Sequence, residues 1–500
     1  MTQDPGPAGF EGTTRVAAVA AAIQARIAGR ALVPGARLPS IRAFAETMRV
    51  SKSTVVEAYD RLAAEGAIVS RPGAGFYVAG PTRPLSLAAL RPALDRAVDP
   101  LWVTRQTLEA GSRVLMPGCG WLPASWMPEP GLRRGLRGLA REGADDLSAY
   151  DAPLGHAPLR ALLARRLSER GIPAAPGQIL LTDSATAALD LVCRFLLEPG
   201  DAVLVDDPCY FNFHALLRAH RARVVGVPVT PTGPDLAALA AALRAHKPRF
   251  YLTNAGLQNP TGATLSPAAA HRVLRLAEAH DALIVEDDIF GDLEPALSPR
   301  LAGLDGLDRV IYIGSFSKTL SAACRSGHVA LRAEWVERLV DLKLAVSFGS
   351  GRLAAGLVHR ILADGSYRRH VEAVRTRLAE ARGATGRRLA AAGLALWAEP
   401  RGGLFLWAAL PDGLDAAAVA RRALAEDVVL APGNVFSLSQ SAGRYLRFNA
   451  AQCADPRVFA VLERAMAECA RAAPAPAREP GAEAGGGRPG RSGAALKSLP

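Results

Sequence analysis

Between residues 114 and 471 the chain alternates short apolar runs, rich in Val, Ile and Leu, with longer amphipathic stretches. Segments 179–182, 202–205, 224–229, 250–253, 283–285 and 310–313 read as strands, with helices over 189–197 and 267–280 between them. A strand apolar on both faces needs cover on both faces. The pattern therefore specifies an α/β fold, a mainly parallel sheet with helices on either side. Ligands of such sheets bind beyond the carboxyl ends of the strands, so the polar residues just after these runs are the candidates for chemistry.

The most informative of these is Gly314-Ser-Phe-Ser-Lys318-Thr-Leu-Ser-Ala-Ala-Cys-Arg325-Ser-Gly327. Ser315, Ser317 and Arg325 offer hydroxyls and a guanidinium fork to a phosphate, and Lys318 offers an amine able to form a Schiff base if its pKa is lowered. Thr182-Asp-Ser184-Ala185-Thr186 links a strand to a helix whose first amides can hold a phosphate. Tyr210, in Asp207-Pro-Cys-Tyr210, can lie against a flat ring. Asn259-Pro-Thr-Gly262 is a turn presenting an amide, and Glu286-Asp287-Asp288 ends a strand in carboxylates. Taken singly, each has an ordinary alternative: a polar loop, a helix cap, a packing tyrosine, a plain turn, a solvated acid cluster.

The first eighty residues follow a different plan. Helical spacing of Val16, Val19, Ile23 and Ile27 gives a first helix from Thr14 to Gly29; Ser40 and Ser51 cap a second and a third, the third running to about residue 65. Short strands at 67–70 and 75–79 then flank Arg71-Pro72-Gly73, which completes a winged helix-turn-helix. Arg42, Lys52, Ser53, Thr54 and Arg71 would gather donors where a duplex backbone could pass.

Pro34-Gly-x-Arg37-Leu-Pro-Ser-x-Arg42, Val50-Ser-x-x-Thr54-Val, Ala58-Tyr and Arg71-x-Gly-x-Gly75 resemble the DNA-binding domain of GntR-family transcription regulators. The resemblance implies DNA contacts by Arg42 and Lys52, while Val56 stands where some members carry a further arginine. From residue 115 to 470 the ordered series ending in Arg401-Gly-Gly-Leu-Phe-Leu-Trp407 and Tyr445-Leu-Arg447-Phe-Asn449 resembles fold-type I pyridoxal 5′-phosphate enzymes of the class I and II aminotransferase group. That likeness implies a Schiff base on Lys318, Asp287 against the pyridine nitrogen, Asn259 on the ring's phenolic oxygen and Tyr210 stacked on the ring. It further implies phosphate contacts from Ala185, Thr186, Ser315, Ser317 and Arg325, and a carboxylate clamp at Arg447. Tyr150 would reach the phosphate held by the other subunit of a homodimer. Two departures stand out: Phe290 occupies the place of a usual tyrosine, removing a donor that would favour the reactive form, and Ser184 replaces a common glycine.

The fusion of both modules resembles the MocR-type subgroup of GntR regulators. It implies a transcriptional regulator that binds double-stranded DNA and senses an amino acid, an amine or the cofactor itself; the alternative is an active aminotransferase carrying a DNA-binding module. The expected organisation is a disordered start (1–12), the winged helix-turn-helix (13–80), a linker (81–113) with a possible helix over 87–97, the cofactor domain with a smaller C-terminal subdomain (114–471), and a disordered tail (472–500). A net charge of +12 is compatible with a polyanionic partner. The six cysteines lack paired spacing, so neither a metal site nor a disulfide framework is expected. With no membrane-length apolar run, the expected location is the cytoplasm.

Overall fold

The computed structural model describes residues 14–29, 31–71, 73–80, 104, 108, 113–143 and 147–472. The start, the linker helix and nearly all of the tail read from the sequence lie outside these residues. The last helix, Arg457–Ala472, runs one residue into the stretch read as tail.

In the N-terminal domain, α1 (Arg15–Ala28), α2 (Ile41–Met48) and α3 (Lys52–Ala64) precede the antiparallel pair β1 (Ile68–Arg71) and β2 (Gly75–Val78). Each helix starts where a hydroxyl replaces a missing amide partner: Thr14 accepts from Ala17 N, Ser40 from Ala43 N and Ser51 from Thr54 N. Each such cap contributes about 1 kcal/mol. Val19, Ile23, Phe44, Val55, Tyr59 and Leu62 form the core they enclose, and Tyr59 Oη donates to Pro39 O at 3.0 Å. Leu38 N bonds to Phe76 O at 2.8 Å, which fastens the wing to the helices.

The larger sheet contains β3 (Ile179–Thr182), β4 (Ala202–Asp207), β5 (Arg223–Thr230), β6 (Gly233–Pro234), β7 (Phe250–Thr253), β8 (Leu283–Asp287), β9 (Val310–Ser315) and β10 (Gly327–Ala330). Their spatial order is β3-β10-β9-β8-β7-β4-β5-β6. Strands β9, β8, β7, β4 and β5 run parallel; β10 is antiparallel to both its neighbours and β6 to β5. The alternating side chains of one strand feed two cores. Leu204, Tyr251, Ile284 and Tyr312 face one, while Val203, Phe250, Val285 and Ile311 face the other. This is why the runs are apolar without alternation.

Two strands of this sheet, β6 and β10, were not anticipated. The lysine loop read from the sequence ends at Gly327, and only the insertion of Gly327–Ala330 between β3 and β9 makes it a strand. The C-terminal subdomain is a four-stranded antiparallel sheet of β11 (Ala395–Leu396), β12 (Phe405–Ala409), β14 (Tyr445–Asn449) and β13 (Ala431–Pro432), in that order. Helices Ala416–Ala425 and Arg457–Ala472 supply its core. Among the described residues no helix is long and apolar enough to cross a membrane, no group of side chains could hold a metal ion, and all six cysteines are free and buried.

Candidate functional site

Strands β3, β4, β7, β8 and β9 end at one edge of the sheet, and the residues after them enclose a cavity of about 420 Å³. Lys318, Ser315, Ser317, Arg325, Ala185, Thr186, Tyr210, Asn259 and Arg447 all line it. Asp287, at the end of β8, lies just behind the lining and interacts with Lys318. Tyr150 does not line this cavity: it is 82% exposed and packs edge-on against Phe348, itself 65% exposed.

The loop between β9 and β10 is held by its own serines. Ser315 Oγ lies 3.0 Å from Ser326 O and 3.1 Å from Ser317 Oγ, and accepts from Ser317 N. Arg325 adopts φ 41°, a left-handed conformation that a non-glycine residue adopts at some cost in strain. Gly327 follows because nothing larger fits: a Cβ there would come within 2.5 Å of the Ser184 carbonyl carbon. Ser184 has extended backbone and accepts from Ala187 N at 3.0 Å, so the serine in place of the usual glycine caps the helix Ala185–Leu196.

Lys318 Nζ donates to Gly120 O at 2.8 Å. Burial, followed by the like charge of Arg447, lowers its pKa to about 8. Burial also raises Asp287 to about 7, against the opposing hydrogen bonds of Ile289 N and the Asn254 side chain. Arg447 crosses from the C-terminal sheet and donates to Asn259 Oδ1 at 2.7 Å and to Gly118 O at 2.6 Å. Its guanidinium lies over the rings of Phe405 and Phe436, at 4.4 and 4.7 Å. Burial lowers its pKa to about 10, which leaves it charged at neutral pH. Asn259 thus has its carboxamide oxygen engaged, and only its amide N–H groups are left for a ligand.

Phe290 is buried, meets Phe405 edge-on at 5.3 Å and lies 5.9 Å from Lys318 Nζ. The position of the usual tyrosine is thereby part of an apolar cluster with Leu293 and Leu404. Behind it the chain has a dense charge network that sequence reading did not identify. Asp288 Oδ2 accepts from Tyr312 Oη and Arg170 and pairs with Arg300 Nε at 3.0 Å, while Arg300 also bonds Glu294. Thr319, next to Lys318, shares a hydroxyl bond with Tyr367, which in turn donates to Asp292. Sequence reading also missed Cys119, Gly120, Trp121 and Phe436; the closely spaced glycines of Gly118-Cys-Gly-Trp121 were the available signal.

On the winged domain, Arg42, Lys52, Ser53 and Arg71 are exposed and Thr54 is half-buried. Ser51 Oγ lies 2.8 Å from the hydroxyls of both Ser53 and Thr54. Arg42 pairs with Glu46 in solvent, and Arg71 lies 4.4 Å over the Tyr77 ring. Val56 is exposed on α3.

Residues 136–464 match the family "Aminotransferase class I and II", and residues 15–78 match "Bacterial regulatory proteins, gntR family". The uncharacterized HTH-type transcriptional regulator YdcR of Escherichia coli is 31% identical over 86% of this chain and 93% of its own length. The probable rhizopine catabolism regulatory protein MocR of Rhizobium meliloti is 31% identical over 72% of this chain and 73% of its own. Among solved structures, LysN, the α-aminoadipate aminotransferase of Thermus thermophilus complexed with N-(5′-phosphopyridoxyl)-L-leucine, superposes with a TM-score of 0.68. It is 30% identical and covers 74% of this chain and 95% of its own.

These relationships imply pyridoxal 5′-phosphate as the cofactor and DNA binding by the winged domain. The site fits that cofactor. A buried carboxylate without a cationic hydrogen-bond donor suits a protonated ring nitrogen, a depressed lysine suits carbonyl capture, and two serines, an arginine and a helix start suit a phosphate. The chain belongs to the class I and II aminotransferase family and carries a GntR-type helix-turn-helix domain ahead of the aminotransferase-like domain.

Proposed function

We infer that the protein is a dimeric, pyridoxal-phosphate-dependent transcriptional regulator whose aminotransferase-like domain senses an amino acid or amine. The observation that carries this reading is one chain holding both a cavity lined by Lys318, the serine and arginine loop and Arg447, and an exposed basic face on a winged helix-turn-helix. When bound, pyridoxal phosphate supplies a carbonyl carbon that condenses with amines and a ring that withdraws electrons from the attached carbon. The chain's own groups do the rest. Ser315, Ser317, Thr186 and Arg325 hold the phosphate, together with the amides from Ala185 onward, and Asp287 holds the ring nitrogen protonated.

Tyr210 and Asn259 fix the ring plane and its oxygen. Lys318 gives up its proton near pH 8 and Gly120 O orients the amine. Arg447 binds the effector's carboxylate, with its ring-covered faces leaving only in-plane N–H groups to engage it. The exposed Tyr150 extends to the phosphate of a second copy, so each cavity is complete only in the homodimer. Regulation then requires that the effector bind two dimer geometries with different affinity. Arg42, Lys52, Ser53, Thr54 and Arg71 hold the duplex.

An electrophoretic assay on the DNA upstream of the gene tests this: specific binding should appear, weaken with salt and respond to an amino acid or amine. No binding with or without cofactor and amino acids would count decisively against it. A second reading, an active transaminase, is favoured by the intact set of Lys318, Asp287, Asn259, Arg325 and Arg447, in which Lys318 could also move a proton between the reacting atoms. Release of a keto acid in repeated turnovers would establish it. Phe290 argues for slow turnover, because no hydroxyl there favours the deprotonated, reactive state.

A further inference from the structure

The cavity's chemistry narrows the effector class. Among the described residues lining it, the charged side chains are Lys318, Arg325 and Arg447; no carboxylate contributes. Lys318 and Arg447 face the same point: a methyl group built on Gly120 would lie 3.9 Å from Lys318 Nζ and 3.9 Å from Arg447 Nη2. A ligand amine that takes the place of the Lys318 amine and a carboxylate that meets Arg447 therefore fit on one small amino acid. Arg325 shares its loop with Ser315 and Ser317 and serves the phosphate, so among the described residues lining the cavity no further cation is left over for a second acid group.

The rest of the wall is largely apolar. Cys119, Trp121, Phe211, Phe290, Val435 and Phe436 line it, with the Cys119 thiol buried and its pKa raised first by that burial. Phe211 meets Phe436 edge-on at 5.7 Å, which gives the wall a continuous aromatic section. An ionised group placed against this wall would lose hydration without gaining a partner. A short ω-amino acid with no side chain would leave the wall facing water.

Resting on the sensing role inferred above, we propose that the effector is an α-amino acid with an uncharged, apolar or aromatic side chain, seated against the wall formed by Cys119, Trp121, Phe211 and Phe436. Arg447 selects its carboxylate and the wall selects its side chain. Acidic, basic and side-chain-free amino acids are discriminated against by the same surface for different reasons: an unpaired charge in the first two cases, uncovered apolar area in the third.

The test is a titration of the full-length, cofactor-loaded protein, followed by visible absorbance, with L-phenylalanine, L-leucine, L-glutamate, L-lysine and 4-aminobutanoate. Phenylalanine or leucine should half-saturate the change at a concentration at least about tenfold below the other three. Equal or tighter binding of glutamate, lysine or 4-aminobutanoate would overturn the proposal while leaving amine sensing intact. No spectral response to any of the five, in a protein whose cofactor signature is abolished by Lys318→Ala, would defeat sensing and this proposal together.

Two wall variants provide separate readouts. Phe211→Ala and Trp121→Ala should each weaken phenylalanine by about threefold or more while changing alanine less. Unchanged preference in both would also overturn it.

Discussion

Asp287 and Asp288 are adjacent in the chain and stand in opposite electrostatic circumstances. Asp288 meets two arginines and a tyrosine, with Arg300 in turn shared with Glu294. Burial lowers the affinity of Arg300 for its proton, but Asp288 and Glu294 outweigh it and hold the guanidinium charged. Asp287 is equally buried and has a backbone amide, with no cation in hydrogen-bond contact, so its pKa rises to about 7. The first environment is internally neutralised and serves the fold. The second is left short of a positive partner, as expected where a ligand is to supply one.

That difference can be broken from either side. The largest effect should follow Asp288→Ala, which leaves Arg170 with Asp292 and Arg300 with Glu294 but removes the carboxylate they share: a loss of about 3 kcal/mol in chemical denaturation, against no loss, and at neutral pH a gain, for Asp287→Asn in the cofactor-free protein. Comparable losses in both variants would remove the distinction. Next, Arg447→Met should weaken carboxylate-bearing ligands by about 2 kcal/mol, roughly thirtyfold, as read by titration, with less effect on simple amines. The same change removes a like charge beside Lys318 and should move its pKa upward.

The pH dependences sharpen the contrast further. Asp287 binds its proton more tightly folded than unfolded, so it makes stability fall as pH rises from the ordinary carboxylate range to about 7. Thermal melts of the cofactor-free protein should show this slope, Asp287→Asn should flatten it, and cofactor should suppress it. Lys318 has the opposite shift: its folded pKa is depressed, so cofactor capture should rise through about pH 8 rather than through the usual lysine range, measured as a rate by stopped-flow absorbance. The smallest effect on the fold belongs to the winged domain. Arg42 and Glu46 are exposed, at 78% and 71% of their side chains, so Arg42→Ala should change stability by less than about 0.5 kcal/mol. It should nevertheless weaken DNA binding and lower the salt slope by about 1.

Much of this was legible because it depends on neighbours in the chain. Ser40 and Ser51 announce helix starts through bonds spanning three residues. The runs at 179–182 and 250–253 are strands with the expected bounds, since a strand apolar on both faces has few alternatives in a chain of this pattern. The lysine loop was visible for the same reason, with its serines and arginine close to Lys318 in the sequence. Strand β10 was not visible, because Gly327–Ala330 is short and owes its state to pairing with both β3 and β9.

What the sequence by itself determined is therefore the kind of fold, the capped helices of the winged domain and the place of the lysine loop after a strand, since local hydrogen bonds and the period of apolar residues are set by nearby side chains. Only the tertiary structure decided that Arg447 meets Asn259 and Gly118 from 188 and 329 residues away. It also decided which of two consecutive aspartates is neutralised and which waits for a cation. Burial and charge pairing are properties of the packed interior, where segments distant in sequence set one another's dielectric and partners.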